Sequence, residues 1–213
     1  MKTDKSAMLL YVVTDRTWLN GAPLENVVEK VLKAGATFLQ LREKDLADAE
    51  FLAEAKKLKP LAQKYHVPFV INDNVSVAMQ CDADGVHVGQ SDIAGRNIRA
   101  LIGPDKILGV SANTVEAAKR AQDSGADYIG VGAVFGTATK KDAQAISVER
   151  LREICDAVSI PVVAIGGIGA HNILQLQGSG IDGVAVISAV FAQPDPATAT
   201  AALRELSSKA VSG

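Results

Sequence analysis

Eight short apolar runs alternate with amphipathic stretches along this chain, and this alternation constrains its fold more than any other feature. Such runs are typical of buried strands, whereas the stretches between them repeat their apolar residues at helical spacing. The predicted strands cover residues 9–13, 38–41, 69–71, 85–88, 107–110, 128–131, 162–165 and 183–187. The predicted helices cover residues 24–32, 50–65, 115–122, 148–158 and 197–206. Because strands that alternate with helices are joined by crossovers, the sequence predicts a parallel sheet.

The number of strands predicts how this sheet is arranged. Eight parallel strands close a (β/α)8 TIM barrel, a fold of the α/β class. A short pattern that ends one helix and begins the next strand recurs at residues 34–37, 81–84, 124–127 and 179–182. No linker rich in proline or serine divides the chain, so we predict a single domain over residues 1–213. A doubly wound open sheet is the alternative, because a strand count does not prove closure.

The composition disfavours several functional classes. The chain has 213 residues, 48% of them hydrophobic, and a net charge of −2, which gives no electrostatic basis for a nucleic-acid partner. The apolar run at residues 8–13 is too short for a membrane span or a signal segment. Cys81 and Cys155 are too few for a disulfide framework, so we expect reduced thiols and a cytoplasmic location. The expected partners are small-molecule substrates.

A cluster of polar residues lies at the end of the second predicted strand. If the alternation of a strand continues, Gln40, Arg42 and Lys44 point to one side, and Leu41 and Glu43 point away. Two neighbouring cations repel each other, so a fold tolerates them best where an anion lies between them. The pattern therefore indicates a phosphate-bearing small molecule, and an exposed strand end with two solvated charges is the alternative.

The next two strand ends carry carboxylates. Asn72, Asp73 and Asn74 follow the third strand, and Asp92 follows the fourth. Two carboxylates from adjacent strand ends suit Mg²⁺, which takes one or two carboxylates together with substrate phosphate oxygens and water. The alternative is that Asp73 and Asp92 cap the helices that follow them.

Two later segments also suit an anion. Ser111 ends the fifth strand and could donate to an anion, whereas Asn113 or Thr114 is expected to cap the following helix. Residues 130–141 combine glycines, two hydroxyls and two lysines, a composition typical of a loop that coordinates anions. An ordinary surface loop is the alternative interpretation of that segment.

The last two strand ends match the place where barrels bind phosphate. Residues 166–169 are rich in glycine, and residues 187–188 follow the eighth strand. His87 lies inside a strand, where we interpret it as a satisfied core histidine. We find no catalytic triad, zinc spacing or evident nucleophile, so the pattern does not indicate covalent catalysis.

As an ordered set, these motifs resemble the thiamine phosphate synthase family almost from end to end. They are YVVTD at residues 11–15, QLREK at 40–44, IND at 71–73, ADGVHVGQSD at 83–92, GVS at 109–111, TATK at 137–140, AIGGI at 164–168 and VIS at 186–188. The resemblance implies a (β/α)8 barrel that joins 4-amino-5-hydroxymethyl-2-methylpyrimidine diphosphate to 4-methyl-5-(2-phosphoethyl)thiazole. It also implies release of diphosphate and a requirement for Mg²⁺.

The resemblance further implies roles for individual residues. Gln40 is expected to hold the aminopyrimidine, and Asp73 and Asp92 to ligate Mg²⁺. The expected diphosphate ligands are Arg42, Lys44, Asn72, Ser111 and Lys140. All of these except Asn72 are also the expected catalytic residues. Thr137, Thr139, Gly167, Ile187 and Ser188 are expected on the thiazole phosphate. Leu41, Glu43 and Ala138 are expected as further substrate contacts.

Two departures from the family pattern bear on the function. Gly136 stands where the family often has proline, and Asn113 stands where it often has histidine. A related thiazole tautomerase uses that histidine, so Asn113 favours the synthase over this alternative. A catalytically silent phosphate-binding barrel is an alternative of another class. The sequence leaves open whether the chain forms a homo-oligomer.

Overall fold

A closed barrel of parallel strands forms the centre of the computed structural model, which describes residues 4–89, 97–136 and 145–212. The described strands are β1 (Leu10–Val13), β2 (Phe38–Leu41), β3 (Phe69–Asn72), β4 (Gly85–Val88), β5 (Ile107–Ser111), β6 (Tyr128–Val131), β7 (Val162–Ile165) and β8 (Gly183–Val186). Each strand pairs in parallel with the next, and β8 pairs with β1. The predicted TIM barrel is therefore confirmed, and the open sheet is excluded.

Helices surround the barrel in the described part of the chain. They are α1 (Leu24–Lys33), α2 (Asp48–Lys64), α3 (Val75–Gln80), α4 (Ile98–Ile102), α5 (Val115–Asp123), α6 (Val148–Ala157), α7 (Ser188–Phe191) and α8 (Pro196–Ser212), together with three short 3₁₀ segments. In α1 the buried residues Leu24, Val28 and Val31 recur at helical spacing, which places one apolar face on the strands. None of the described helices combines the length and the apolar character that a membrane span requires.

The buried residues form two separate layers. Leu10 and Val12 of β1 belong to the layer between strands and helices, whereas Tyr11 and Val13 point into the barrel. Inside the barrel the ring of Phe38 lies 4.5 Å from that of Tyr11 and 5.6 Å from that of Tyr128, measured between centroids. Because both faces of each strand are buried, the strands read as continuous apolar runs.

A charged cluster lies at the amino-terminal end of the strands, opposite the expected site. The Asp82 carboxylate, in the loop between α3 and β4, is 2.9 Å from Lys59 Nζ and also pairs with Lys106. Hydrogen bonds from Lys106 and Lys59 lower the pKa of Asp82 to about 2. A carboxylate with a lowered pKa in the folded state stabilises the fold above its unfolded pKa, and this contribution is lost as the pH falls.

Substitution of Asp82 with asparagine is expected to remove this pH dependence. The side chain is 75% exposed, so solvent screening keeps the stabilisation small. The difference in urea midpoint between wild type and Asp82→Asn should have its full size at pH values above 3.8, the ordinary aspartate pKa. It should vanish as the pH falls through about 2. Asp123→Asn, which removes another exposed carboxylate, controls for net charge. A difference that stays constant over this range would contradict the assignment.

Candidate active site

A cavity opens at the carboxyl-terminal mouth of the barrel. Its volume is about 170 Å³, and its walls come from the ends of several strands. The lining includes Tyr11, Gln40, Arg42, Asn72, His87, Ser111 and Tyr128. Since an apolar cavity of about 150 Å³ can hold benzene, this cavity has room for one six-membered ring. The carboxyl ends of the strands are also where TIM-barrel enzymes carry their active sites.

Gln40 contributes a buried polar group to the cavity. Its side chain points inward from β2, and the residue is only 4% exposed. The amide nitrogen Nε2 donates to the hydroxyl of Tyr11 at a distance of 2.5 Å. Because Nε2 is held by Tyr11, the amide oxygen Oε1 is the group suited to accept a hydrogen bond from a bound ring.

Arg42 and Lys44 line two different spaces at the mouth of the barrel. β2 ends at Leu41, so the alternation that we expected to carry all three polar side chains to one side does not continue. Arg42 lines the central cavity, whereas Lys44 lines a neighbouring recess that also contains Asn72 and Asp73. The Arg42 guanidinium lies 3.8 Å from the Asp15 carboxylate. A protein carboxylate thus offsets part of the Arg42 charge.

The side chains of Leu41 and Glu43 point away from the central cavity. Leu41 is fully buried in the layer between strands and helices, so a substrate contact by this residue would have to use its backbone. Glu43 accepts a hydrogen bond from Arg16 Nε at 2.7 Å, and Arg16 also pairs with Glu54 of α2 at 2.8 Å. Burial raises the pKa of Glu43, and the charge of Arg16 opposes this rise. Glu43 therefore anchors the segment that carries Arg42.

The carboxylate of Asp73 is suited to a hard cation. Asn74 caps α3 by accepting a hydrogen bond from the Val77 N–H at 2.9 Å, so the capping role considered for Asp73 belongs to its neighbour. Asp73 has a φ angle of +61° and accepts from Asn72 Nδ2 at 2.6 Å, beside Lys44 in the recess. Oxygen donors of this kind fit Mg²⁺.

The metal prediction rests on two carboxylates, of which the structure describes one. Asp92 lies outside the described residues, as do Thr137, Ala138, Thr139 and Lys140. Over residues 4–89, 97–136 and 145–212, no three His, Cys, Asp or Glu side chains come together as metal ligands. A magnesium site would therefore draw Asp73 from the described part and its further oxygen ligands from Asp92, the substrate and water.

A smaller recess lies between the ends of β7 and β8. Gly166, Gly167, Ile187 and Ser188 line it, and Ser188 begins α7. Gly167 has a φ angle of +67°, and a Cβ atom there would come within 2.8 Å of the Phe135 carbonyl oxygen. Only glycine fits this close approach of two backbones. The three predicted phosphate residues of the described part, Gly167, Ile187 and Ser188, thus line one recess.

Comparison with known sequences identifies the family. The model of the thiamine monophosphate synthase family matches residues 10–190. The chain belongs to this family. It is 50% identical to "Thiamine-phosphate synthase" of Clostridium tetani over 186 residues, which are 87% of this chain and 89% of the relative. It is also 50% identical to the protein of that name from Ruminiclostridium cellulolyticum over 197 residues, 92% of this chain and 94% of the relative.

A solved structure supports the same membership in the thiamine monophosphate synthase family. It is "Thiamine phosphate pyrophosphorylase from Pyrococcus furiosus", and the two chains superimpose with a TM-score of 0.89. They are 39% identical, and the match covers 97% of this chain and 98% of the other. The resemblance inferred from the motifs is therefore confirmed at the level of the family and the fold.

Three cavity residues of this family member were not assigned to the site from the sequence. His87, interpreted as a core histidine, is half-buried on the cavity wall between Tyr128 and Ser111. Tyr11 and Tyr128 place their hydroxyls 2.8 Å apart at the cavity floor. The period of two along β4 could have identified His87, since Val86 and Val88 both face the helices.

The fifth strand end separates two roles that the sequence left open. Thr114 caps α5 by accepting a hydrogen bond from the Ala117 N–H at 3.1 Å. Asn113 lines the cavity, and its Oδ1 accepts from the Gly132 N–H at 3.1 Å. The position where a thiazole tautomerase has histidine therefore carries an amide that supports the backbone after β6. Membership in the synthase family gives the tautomerase alternative no support.

Proposed function

We propose that this chain joins 4-amino-5-hydroxymethyl-2-methylpyrimidine diphosphate to 4-methyl-5-(2-phosphoethyl)thiazole, giving thiamine phosphate and diphosphate. Membership in the thiamine monophosphate synthase family supports this reaction. One structural observation carries the proposal further. The ring-sized cavity has Gln40 in its lining and shares Asn72 with the recess that contains Lys44 and Asp73. An aromatic ring and an anionic group attached to it would fit these neighbouring spaces together.

In this proposal the pyrimidine occupies the central cavity. Oε1 of Gln40 accepts a hydrogen bond from the 4-amino group, because Nε2 is already held by the Tyr11 hydroxyl. The ring then lies above the floor formed by the two tyrosine hydroxyls. We orient the methylene and its diphosphate towards Arg42 and Asn72, which line the same cavity.

The diphosphate is held by donors at the cavity mouth. We assign it to Arg42, Asn72 and Ser111 of the central cavity, and to Lys44 of the neighbouring recess. Lys140, outside the described residues, completes this set in our proposal. Asp73 and Asp92 would hold Mg²⁺, which when bound supplies positive charge to offset the diphosphate. On the thiazole phosphate we place Thr137, Ala138, Thr139, Gly167, Ile187 and Ser188.

The reaction needs no protein nucleophile or general base in this arrangement. The bond between the pyrimidine methylene and the diphosphate oxygen breaks, and the departing diphosphate takes the electron pair. The 4-aminopyrimidine delocalises the resulting positive charge, and the lone pair of the thiazole nitrogen forms the new bond to the methylene carbon. The protein orients the two substrates and stabilises charge on the leaving group.

The Asp73 carboxylate is expected to set the Mg²⁺ requirement. Asp73→Asn keeps a residue type that tolerates the positive φ angle but removes the negative charge. We expect the Mg²⁺ concentration for half-maximal activity to rise at least about 10-fold, since even outer-shell changes cost that much in metal affinity. Asp156→Asn, at an exposed position on α6, is the matched control. An unchanged Mg²⁺ requirement in Asp73→Asn would remove this residue from the metal site.

The function is tested by one assay with both substrates and one with the pyrimidine withheld. With both substrates and Mg²⁺, the purified protein should form thiamine phosphate and diphosphate in equal amounts. With the pyrimidine withheld, the thiazole should remain unchanged, because the position where the tautomerase has its histidine carries Asn113, which offers no group that titrates near neutral pH. Isomerisation of the thiazole without coupling would overturn the proposal, as would failure to form product with both substrates.

A further inference from the structure

A continuous chain of hydrogen bonds crosses the cavity floor from Gln40 to Ser111. Gln40 Nε2 lies 2.5 Å from the Tyr11 hydroxyl, which lies 2.8 Å from the Tyr128 hydroxyl. The Tyr128 hydroxyl is 2.9 Å from His87 Nδ1, and His87 Nε2 is 3.0 Å from Ser111 Oγ. Five strands contribute one residue each. Because Gln40 belongs to the proposed pyrimidine site and Ser111 to the proposed diphosphate site, this chain of hydrogen bonds connects the two sites.

The hydrogens in this chain can be placed in one direction. Gln40 Nε2 can only donate, so the Tyr11 oxygen accepts from it. Burial raises the pKa of both phenols, so each keeps its single hydrogen. Tyr11 then donates to Tyr128, and Tyr128 donates to His87 Nδ1. The opposite order would leave the buried Tyr11 hydrogen without an acceptor among these neighbours, which costs free energy.

This direction determines what Ser111 can do. A neutral imidazole whose Nδ1 accepts a hydrogen bond carries its hydrogen on Nε2. That hydrogen is donated to Ser111 Oγ, 3.0 Å away. The Ser111 hydroxyl hydrogen is then directed at an acceptor other than His87. Ser111 lines the same cavity as Arg42 and Asn72, where the proposed function places the diphosphate.

We propose that His87, held by Tyr128, is a positioning residue that keeps the Ser111 hydroxyl as a hydrogen-bond donor towards the departing diphosphate. The inference rests on the proposed function, because the diphosphate supplies the acceptor. His87 acts through Ser111 and does not itself contact the reacting atoms. Tyr128 in turn fixes which imidazole nitrogen carries the hydrogen.

Two glycines supply independent support, because they make room for the imidazole. Strand pairing places His87 opposite Gly109, and Ser111 opposite Gly130. A Cβ atom at Gly109 would overlap the Tyr128 ring and His87 Nδ1, and one at Gly130 would lie 3.2 Å from His87 Cε1. A larger residue at Gly109 would displace the hydrogen-bonded pair. The barrel wall is therefore shaped around this histidine.

Histidine nitrogen NMR on the wild-type protein tests the donor and acceptor order in this chain of hydrogen bonds. The protein has three histidines, and His66 and His171 are exposed, so their signals can be assigned from His66→Gln and His171→Gln. We expect the remaining signal to show a neutral ring with its hydrogen on Nε2 and a bare Nδ1. A hydrogen on Nδ1, alone or together with Nε2, would overturn the inference.

A double-mutant cycle tests whether Tyr128 and His87 act through Ser111. Tyr128→Phe removes one hydroxyl and should lower kcat about 10-fold with little change in KM, by analogy with the loss of an outer-shell partner at a metal-binding histidine. In a Ser111→Ala background the same change should have no further effect on kcat, because the group that it positions is gone. Tyr65→Phe, which removes a hydroxyl bonded to Glu29 outside the barrel, is the matched control.

The outcomes of this cycle are distinguishable from a failure of the proposed function. Equal effects of Tyr128→Phe with and without Ser111 would overturn the positioning role in an enzyme that still makes thiamine phosphate. A wild-type protein that forms no thiamine phosphate would overturn both proposals. If Tyr128→Phe does not fold, His87→Phe removes both ring nitrogens, keeps a ring of similar size, and is compared with and without Ser111 in the same way.

Discussion

Replacement of Arg42 with alanine is expected to lower kcat by about 10²- to 10³-fold, the usual loss when one preorganised donor to developing charge is removed. The Arg42 side chain is only 16% exposed and lines the cavity beside Asn72. In the proposed reaction, negative charge grows on the diphosphate as the carbon–oxygen bond breaks. A cation fixed near that charge therefore stabilises the transition state more than the bound substrate, and steady-state kinetics at saturating substrate should show the loss in kcat.

Arg150→Ala is the matched control for this prediction, because it removes one arginine with the same change in net charge. Arg150 lies on α6, where it pairs with Glu153 at 2.7 Å on the exposed surface. We expect near-normal kinetics and an unchanged urea midpoint in this variant. Normal turnover in a folded Arg42→Ala protein would show that Arg42 is not a ligand of the leaving group.

Replacement of Phe38 with alanine is expected to lower the free energy of unfolding by about 3–5 kcal/mol, as is typical for deletion of a buried aromatic ring. Phe38 is fully buried inside the barrel. Its ring packs against Tyr11 and Tyr128, and both of these tyrosines belong to the cavity floor. A cavity left at this position has few ways to collapse, because the closed barrel holds the surrounding strands in place. Urea unfolding at equilibrium should measure the difference.

Met79→Ala controls for the loss of a large apolar side chain. Met79 is 43% exposed on α3, and its replacement should change the free energy of unfolding by no more than about 0.5 kcal/mol. A loss below about 1 kcal/mol in Phe38→Ala would contradict the packing described for the barrel interior, since a full large-to-small change in a packed core costs more.

Much of the fold follows from local patterns in the sequence. The bounds of the strands agree with the predicted ones within one residue, because a parallel strand buried on both faces shows up as an uninterrupted apolar run. The C-terminal helix illustrates the remaining error. It continues to Ser212, beyond the predicted end at residue 206, and its last turns bury Ser207 and Ala210. Such small residues add little apolar periodicity, so the sequence pattern ends before the helix does.

The arrangement of the candidate site was only partly predictable. Sequence position correctly places Gln40, Asn72 and Ser111 at strand ends that share one cavity, because all parallel strands end on the same side of a barrel. The divergence of Arg42 and Lys44 was not predictable from alternation, since β2 stops before either residue. Whether a residue after a strand end faces the cavity or a neighbouring recess depends on tertiary contacts that no local period encodes.

The interior hydrogen bonds were also beyond the reach of local patterns. Tyr11, Tyr128 and His87 are far apart in sequence and meet only because barrel closure brings β1, β4 and β6 around one axis. Glu43 shows the same limit outside the central cavity. Its carboxylate is held by Arg16, from a 3₁₀ segment after β1, which the pattern of residues 40–44 alone does not indicate.

A crystal structure with the pyrimidine diphosphate and Mg²⁺ bound would test the central claim most directly. We predict the pyrimidine ring in the central cavity, with its 4-amino group donating to Oε1 of Gln40 and its diphosphate in contact with Arg42, Asn72 and Ser111. We also predict Mg²⁺ held by the Asp73 carboxylate. A ring bound in the outer groove beside Trp18 and His171, with the central cavity left to solvent, would contradict it.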